Sequence, residues 1–303
     1  MKKQLLFAAA MFVSIAASAQ TVVYPCTSTS EDGKKATAVN NDATIEGSTS
    51  IEAATISWGS GVLEPSTCQK THKNVAGESL NYFGEEGTTC VTKWVPVVAS
   101  DAAIKKLDDA YAAGQYIDFK ISETDQSKYL DIKSIAFNAA RYGTDAVRIN
   151  AKLLIGSDEA GETETEWLFT GDTWESYTGG EGFWTEATGA EGEIPGYGPA
   201  REDASKANTN DKNEDGFSNI VIPITNDIIP ADAYEVTLRI CFYGIGSNKA
   251  LGLNNVTFTS ENLATGVENV RVATPSVDAP TYNIGGRAAK SGLLIQKGKK
   301  YVK

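Results

Sequence analysis

The sequence predicts an all-β protein: a jelly-roll-like β-sandwich with one short helix and a small C-terminal β tail. Three observations predict it. Apolar residues recur with period two or in short runs, the pattern of strands buried on one or both faces. Gly, Asn, Asp and Pro punctuate those runs at short intervals, as turns require. One stretch alone carries apolar residues at helical spacing. Many short strands divided by turn signals are typical of sandwiches and jelly rolls.

The chain opens with Lys2 and Lys3, an apolar stretch over residues 5–16, and then Ala17-Ser18-Ala19. A positive region, an apolar region and an A-x-A site in that order make a secretory signal peptide, with cleavage between Ala19 and Gln20. The apolar stretch is shorter than the roughly 20 residues that span a bilayer. No Cys stands at the cleavage point, which argues against a lipoprotein. The expected organisation is therefore a signal peptide over 1–19, a β-sandwich module over 20–263, a linker over 264–281 and a tail over 282–303. No later stretch reads as a membrane span.

The 303 residues carry a formal charge of −12, and loss of Lys2 and Lys3 leaves 25 basic residues against 39 acids, or −14. So acidic a chain does not bind nucleic acid by neutralising phosphates, nor is it drawn to anionic lipid. Four cysteines, Cys26, Cys68, Cys90 and Cys241, allow three pairings in an oxidising compartment. Cys68 and Cys90 flank a loop rich in Gly, Asn and Glu, which favours that pair. Cys241 lies in an apolar strand and reads equally well as a buried thiol. The absence of C-x-x-C speaks against a zinc ribbon or a thioredoxin-type site.

Strands are expected at 53–58, 91–98, 116–121, 132–138, 146–155, 166–170, 218–224, 234–243 and 254–259. Val236, Leu238, Ile240 and Phe242 alternate to one face, which should be core. The helix has Ser100 as N-cap, Asp101 at the positive end of its dipole, Ile104, Leu107 and Tyr111 on one side, and Gly114 at its end. It is expected to close one end of the sandwich. Arg141-Tyr142-Gly143-Thr144-Asp145 reads as a tight turn. Trp58 and Trp94 lie in strand patterns and read as core.

From 153 to 200 there is no Lys or Arg, and acids accumulate among glycines and aromatics that include Trp167. Beyond about Thr170 this stretch reads as a long excursion between strands, which compact domains keep for function or leave disordered. Its aromatics argue against disorder. Sugar rings stack their C–H faces on flat side chains, with polar groups beside them for the hydroxyls. Trp174, Tyr177, Phe183, Trp184 and Tyr197 are therefore the candidate ligand-binding residues. The competing reading is that they tie the excursion down onto the sandwich.

Other chemistry is thinner. His72 is the only histidine, which excludes multi-His zinc catalysis, and no G-x-S-x-G elbow accompanies it. It sits in a polar run and reads as surface loop. Paired carboxylates could hydrolyse a glycosidic bond, but acids are too abundant here to single out a pair. Asp211-Lys212-Asn213-Glu214-Asp215-Gly216 matches the opening of a calcium loop, with Asp211, Asn213 and Asp215 as candidate ligands. Ile222 stands where an EF-hand has its closing acid. The readings are a structural calcium or, preferred, a plain polar loop; no other cofactor is expected.

The tail carries Tyr282-Asn283, Gly285-Gly286-Arg287, Gly292, Ile295 and Gly298-Lys299-Lys300, and it ends in Val302-Lys303. It resembles the type IX sorting-like C-terminal segment of exported Bacteroidota proteins, although Arg287 stands near the usual Gln and Ala288-Ala289 replaces a polar-then-Val step. Four stretches of the central region are also informative: Tyr116-Ile117-Asp118-Phe119, Ile135-Ala136-Phe137, residues 140–145 and residues 249–256. Together they resemble a β-sandwich accessory module of secreted polysaccharide-degrading enzymes in the same bacteria. That resemblance implies a stand-alone, non-catalytic module on the outer surface or secreted, with a glycan partner and scope for cell-surface assembly. The alternatives are a polysaccharide-acting hydrolase or lyase and, second, a protein-binding or structural surface protein.

Overall fold

The computed structural model describes residues 20–48, 50–69, 71–73, 79–81, 89–142, 147–170, 173, 176–177, 184–186, 196–198, 200–201, 218–260, 282–283, 293–296 and 299–302. The chain divides into two compact units, Met1–Ala264 and Thr265–Lys303.

The first unit is a β-sandwich. In its first sheet Ser218–Pro223 pairs with Ile132–Tyr142, which pairs with Ala250–Ser260. The other edge of Ala250–Ser260 is shared by Gln20–Tyr24 and Thr89–Trp94. Thr44–Glu46 continues beyond Gln20–Tyr24. The second sheet runs Gly161–Glu164, Arg148–Ser157, Ala233–Tyr243, Tyr116–Glu123. Ile51–Ala53 and Ser57–Trp58 share its far edge. These pairs are antiparallel, whereas Ala200–Arg201 runs parallel to Ile132–Tyr142. From Tyr116 onward the long strands alternate between sheets. Tyr116–Glu123, Arg148–Ser157 and Ala233–Tyr243 lie in the second; Ile132–Tyr142, Ser218–Pro223 and Ala250–Ser260 lie in the first.

Side chains of alternate residues fill the space between the sheets. Val236, Leu238, Ile240 and Phe242 are fully buried, as the alternation predicts, and face Ile135, Phe137 and Ala139 in one core cluster. Each such side chain contributes about 1.5–3 kcal/mol. Tyr24, in the first sheet, sends its hydroxyl across the core to donate to the Ala54 and Lys120 carbonyls of the second, at 2.9 and 2.5 Å. In Ala250–Ser260 the buried set switches from Leu251 and Leu253 to Val256 and Phe258. A register shift and a φ of +49° at Asn255 mark the bulge that changes the parity.

Most expected strands are present, with shifted bounds: 91–98 shortens to Thr89–Trp94, whereas 132–138 and 254–259 lengthen to Ile132–Tyr142 and Ala250–Ser260. Residues 166–170 are an exception: the strand is Gly161–Glu164, a hairpin with Arg148–Ser157 whose turn needs the φ of +69° at Gly161. The stretch 53–58 is split into Ile51–Ala53 and Ser57–Trp58. Trp94 is fully buried; Trp58 is half-buried and lies 5.5 Å from it, ring to ring. The short strands before Cys68 had too few alternating apolar residues to be read. Arg141 and Tyr142, expected in a turn, end the Ile132–Tyr142 strand and are buried; 143–146 lie outside the described residues. Thr71–Lys73 forms a hairpin with Ser79–Asn81 where a loop was expected around His72.

The helix is shorter than expected, Leu107–Ala112 with Lys106 at its N-cap position, not Ser100. The chain before it is held by neighbouring backbone: the Ile104 carbonyl accepts from Gly244 and the Val98 carbonyl from Ser247. Gly114, at φ +77°, ends it as predicted. It packs on the outer face of the second sheet, Leu107 and Ala110 against Cys241 and Tyr243, instead of closing an end.

Cys68 and Cys90 form the expected disulfide, with Cα atoms 5.7 Å apart. Cys26 and Cys241 are buried thiols; burial pushes the Cys241 thiol up to about 12. No helix among the described residues is long and apolar enough to cross a membrane.

The second unit contains an antiparallel sheet of Tyr282–Asn283, Leu293–Gln296 and Lys299–Val302.

Candidate functional site

The outward positions of a half-buried sheet are normally polar and unremarkable, because water satisfies them. On the second sheet they carry long charged and aromatic side chains instead. The register sets them in rows across the strands. One row is Lys152, Arg239, Asp118 and Ser57. The next is Glu164, Leu154, Thr237 and Lys120.

Arg239 is the centre of this face. Its Nε and a terminal nitrogen donate to the two carboxylate oxygens of Asp118 at 2.8 and 2.7 Å, a bidentate pair. The guanidinium also lies 3.8 Å from the Tyr116 ring centre. Burial opposes the charge on Arg239, but the Asp118 carboxylate outweighs it and raises the pKa further. The chain also comes close to Tyr116 at Gly59, where a Cβ would lie 2.9 Å from the Tyr116 Cζ.

A second cluster adjoins the first. The Lys152 ammonium lies over the Trp167 ring at 4.5 Å and the Tyr111 ring at 5.2 Å. The Tyr111 and Trp167 rings meet edge to face at 5.4 Å. Lys152 pairs with Glu164 at 2.5 Å, and the Tyr111 hydroxyl donates to the other Glu164 oxygen at 3.0 Å. Burial works against the Glu164 charge, yet the Lys152 ammonium and Tyr111 hydroxyl together hold its pKa below the ordinary value. A third pair, Lys120 with Glu235 at 2.6 Å, completes the floor.

Between these clusters lies a groove of about 450 Å³ with Asp118, Lys120, Thr237 and Arg239 on its floor. Gly156 and Glu235 also line the groove. Gly156 pairs with Glu235 and Ser157 with Ala233, so Tyr234 occupies a bulge. The bulge turns it over Gly156, where a Cβ would lie 2.9 Å from its ring. A cleft of about 580 Å³ adjoins across Thr163 and Glu164, lined by Trp167, Tyr177, Asn226, Asp227 and Pro230.

The expected ligand residues are placed unevenly. Tyr177 is buried, its ring edge-on to Phe169 at 6.2 Å, at the back of the cleft. Phe169 is fixed in turn by Asn150, whose amide both donates to and accepts from its backbone at 2.9 Å. The root of the excursion is therefore tied to the second sheet. Trp184 and Tyr197 lie on a backbone hairpin, Trp184–Glu186 with Gly196–Gly198, which joins the edge of the second sheet where Tyr197 pairs with Ile149. Trp174 and Phe183 lie outside the described residues, as do Asp211, Asn213, Asp215 and Ala19. Gln20 begins the first strand. Among the described residues no group of three or more His, Cys, Asp or Glu could hold a metal ion.

The sequence reading passed over Asp118, Lys120, Lys152, Glu164, Glu235 and Arg239. The signal was present in the polar half of each alternation, where Tyr116, Asp118 and Lys120, or Glu235, Thr237 and Arg239, recur at i, i+2, i+4.

No family model and no curated protein matches the chain. Among solved structures, the enzymatically active domain of the Bacteriophage CBA120 tailspike protein 4 aligns with 70% of this chain and 19% of its own, at 8% identity and a TM-score of 0.26. A structure described for the promiscuous specificity of carbohydrate-binding modules of the β-sandwich super family aligns with 80% of this chain and 96% of its own, at 10% identity and a TM-score of 0.19. Likeness this distant carries no argument about either fold or activity.

Proposed function

We propose that the chain is a secreted or surface-exposed, non-catalytic binding module whose ligand is a glycan, and that the groove on the second sheet receives it. The observation that carries the reading is the groove floor. Its donors and acceptors are fixed on strands and locked by pairing, which is the preorganisation a polyhydroxylated ligand needs, and the adjoining cleft supplies Trp167 and Tyr177. The pattern of residues 1–19 supports export, and the resemblance of the tail supports presentation at the cell surface. The alternation of strands between sheets supports a jelly-roll reading of the framework.

An enzyme acting on polysaccharide needs a carboxyl group held neutral near pH 7 to serve as general acid. Asp118, Glu164 and Glu235 each sit on a cation instead. For Glu164, burial opposes the charge but Lys152 and Tyr111 hold the pKa below the ordinary value, so this carboxylate accepts hydrogen bonds and does not serve as that acid.

The test is a glycan array probed with the mature chain, beside an assay for reducing-sugar or unsaturated-product release. Retention without product release is expected. Product release moves the enzyme reading to first place; neither retention nor release moves a protein partner there.

A further inference from the structure

We propose that the groove selects an uncharged polysaccharide over a uronate-bearing or sulfated one. This rests on the glycan reading and narrows it to a ligand class. The cations on the groove floor already face carboxylates. Arg239 meets Asp118 at 2.7 Å with side chains only 15% and 14% exposed. Lys120 meets Glu235. Glu162 and Glu164 also line the groove, so carboxylates outnumber its two cations.

An anionic sugar gains a cation here only by displacing a carboxylate, which is then left unpaired beside a second negative charge. Leaving one member of such a pair without its partner is strongly unfavourable where water is scarce. Hydroxyl groups need no exchange. An ion-paired carboxylate keeps spare lone pairs, and a paired ammonium keeps N–H bonds to donate. Thr237 and Ser57 add neutral partners on the same rows. The chain's net charge of −12 also repels polyanions at long range.

The experiment is affinity gel electrophoresis of the mature chain through neutral polymers (mixed-linkage β-glucan, galactomannan, arabinoxylan) and acidic ones (polygalacturonate, alginate). Each gel is run at low and high salt, about 0.05 and 0.5 M. Retention by a neutral polymer is expected, with affinity changing by less than about twofold between the salts, because no counterions are exchanged. Lys120→Ala should lower that affinity by about tenfold. Thr257→Ala, on the opposite face, should leave it unchanged. Retention by an acidic polymer that weakens about tenfold in high salt, and is altered by Lys120→Ala, overturns the neutral-ligand inference while the glycan reading stands. No retention of folded protein by any polymer overturns both.

Discussion

The outer face of the first sheet and the outer face of the second are built on the same alternation but carry different chemistry. Across the first, one row runs Val221, Ala136, Thr257, Val23 and Thr44, and the next runs Pro223, Ser134, Thr259, Thr21 and Glu46. These are mostly short, uncharged side chains that suit a pleated surface and reach no farther than their neighbours. Across the second, Lys152, Arg239 and Asp118 stand beside Leu154, Thr237 and Lys120. These side chains reach between rows, pair, and stack on rings from the helix and from the root of the excursion. A sandwich core needs only one face of each sheet, so the other face is free to be plain or specialised. Here the two rows named on the first sheet are plain, its one cluster lying apart at Tyr142 beneath Lys93, and the second face is specialised.

Substitutions sharpen the contrast. The largest effect is expected for Arg239→Ala, which strands the Asp118 carboxylate and releases Tyr116. It should cost about 2–3 kcal/mol in urea unfolding. A loss under about 0.5 kcal/mol would put the pair among ordinary surface salt bridges. Trp167→Ala removes the edge-to-face contact with Tyr111 and the ring beneath Lys152. It should cost about 1–2 kcal/mol and also weaken glycan retention. Full retention by this variant would detach the cleft from binding.

Acid probes the same corner more gently. Glu164 has a lowered pKa in the folded chain. Its contribution is therefore complete above the unfolded value of about 4.3 and is lost only as pH falls through the lower folded value. Tryptophan emission of the wild type should hold steady to about pH 4.5 and shift red below it, and Glu164→Gln should abolish that step. A step near pH 6 would point to another group. The smallest effect belongs to the plain face: Thr257→Ala should change stability by less than about 0.5 kcal/mol. A larger loss there would show that the rows around Thr257 also support a cluster.

Much of the framework was legible in the sequence because burial writes itself into alternation. Val236 to Phe242 announced a strand and its core face, and Cys68 with Cys90 announced a disulfide. The helix was legible by spacing but not by extent, because the carbonyls of Val98 and Ile104 are taken by the loop that follows Ala233–Tyr243. The groove was much less legible. Asp118, Lys152 and Arg239 look like routine solvent-facing charges until the register sets three strands side by side. Nothing local in sequence shows that Gly156 and Tyr234 oppose one another across a bulge. Trp167 was noticed as part of the excursion, yet its partners Tyr111 and Lys152 come from elsewhere in the chain.

The central claim is that ligand meets the second sheet and not the first. Hydrogen exchange of the mature chain, with and without the polysaccharide it retains best, measures this directly. Added protection should concentrate in 116–123, 148–164 and 233–243, with 132–142 and 250–260 unchanged. Protection centred on those latter two strands would contradict the account.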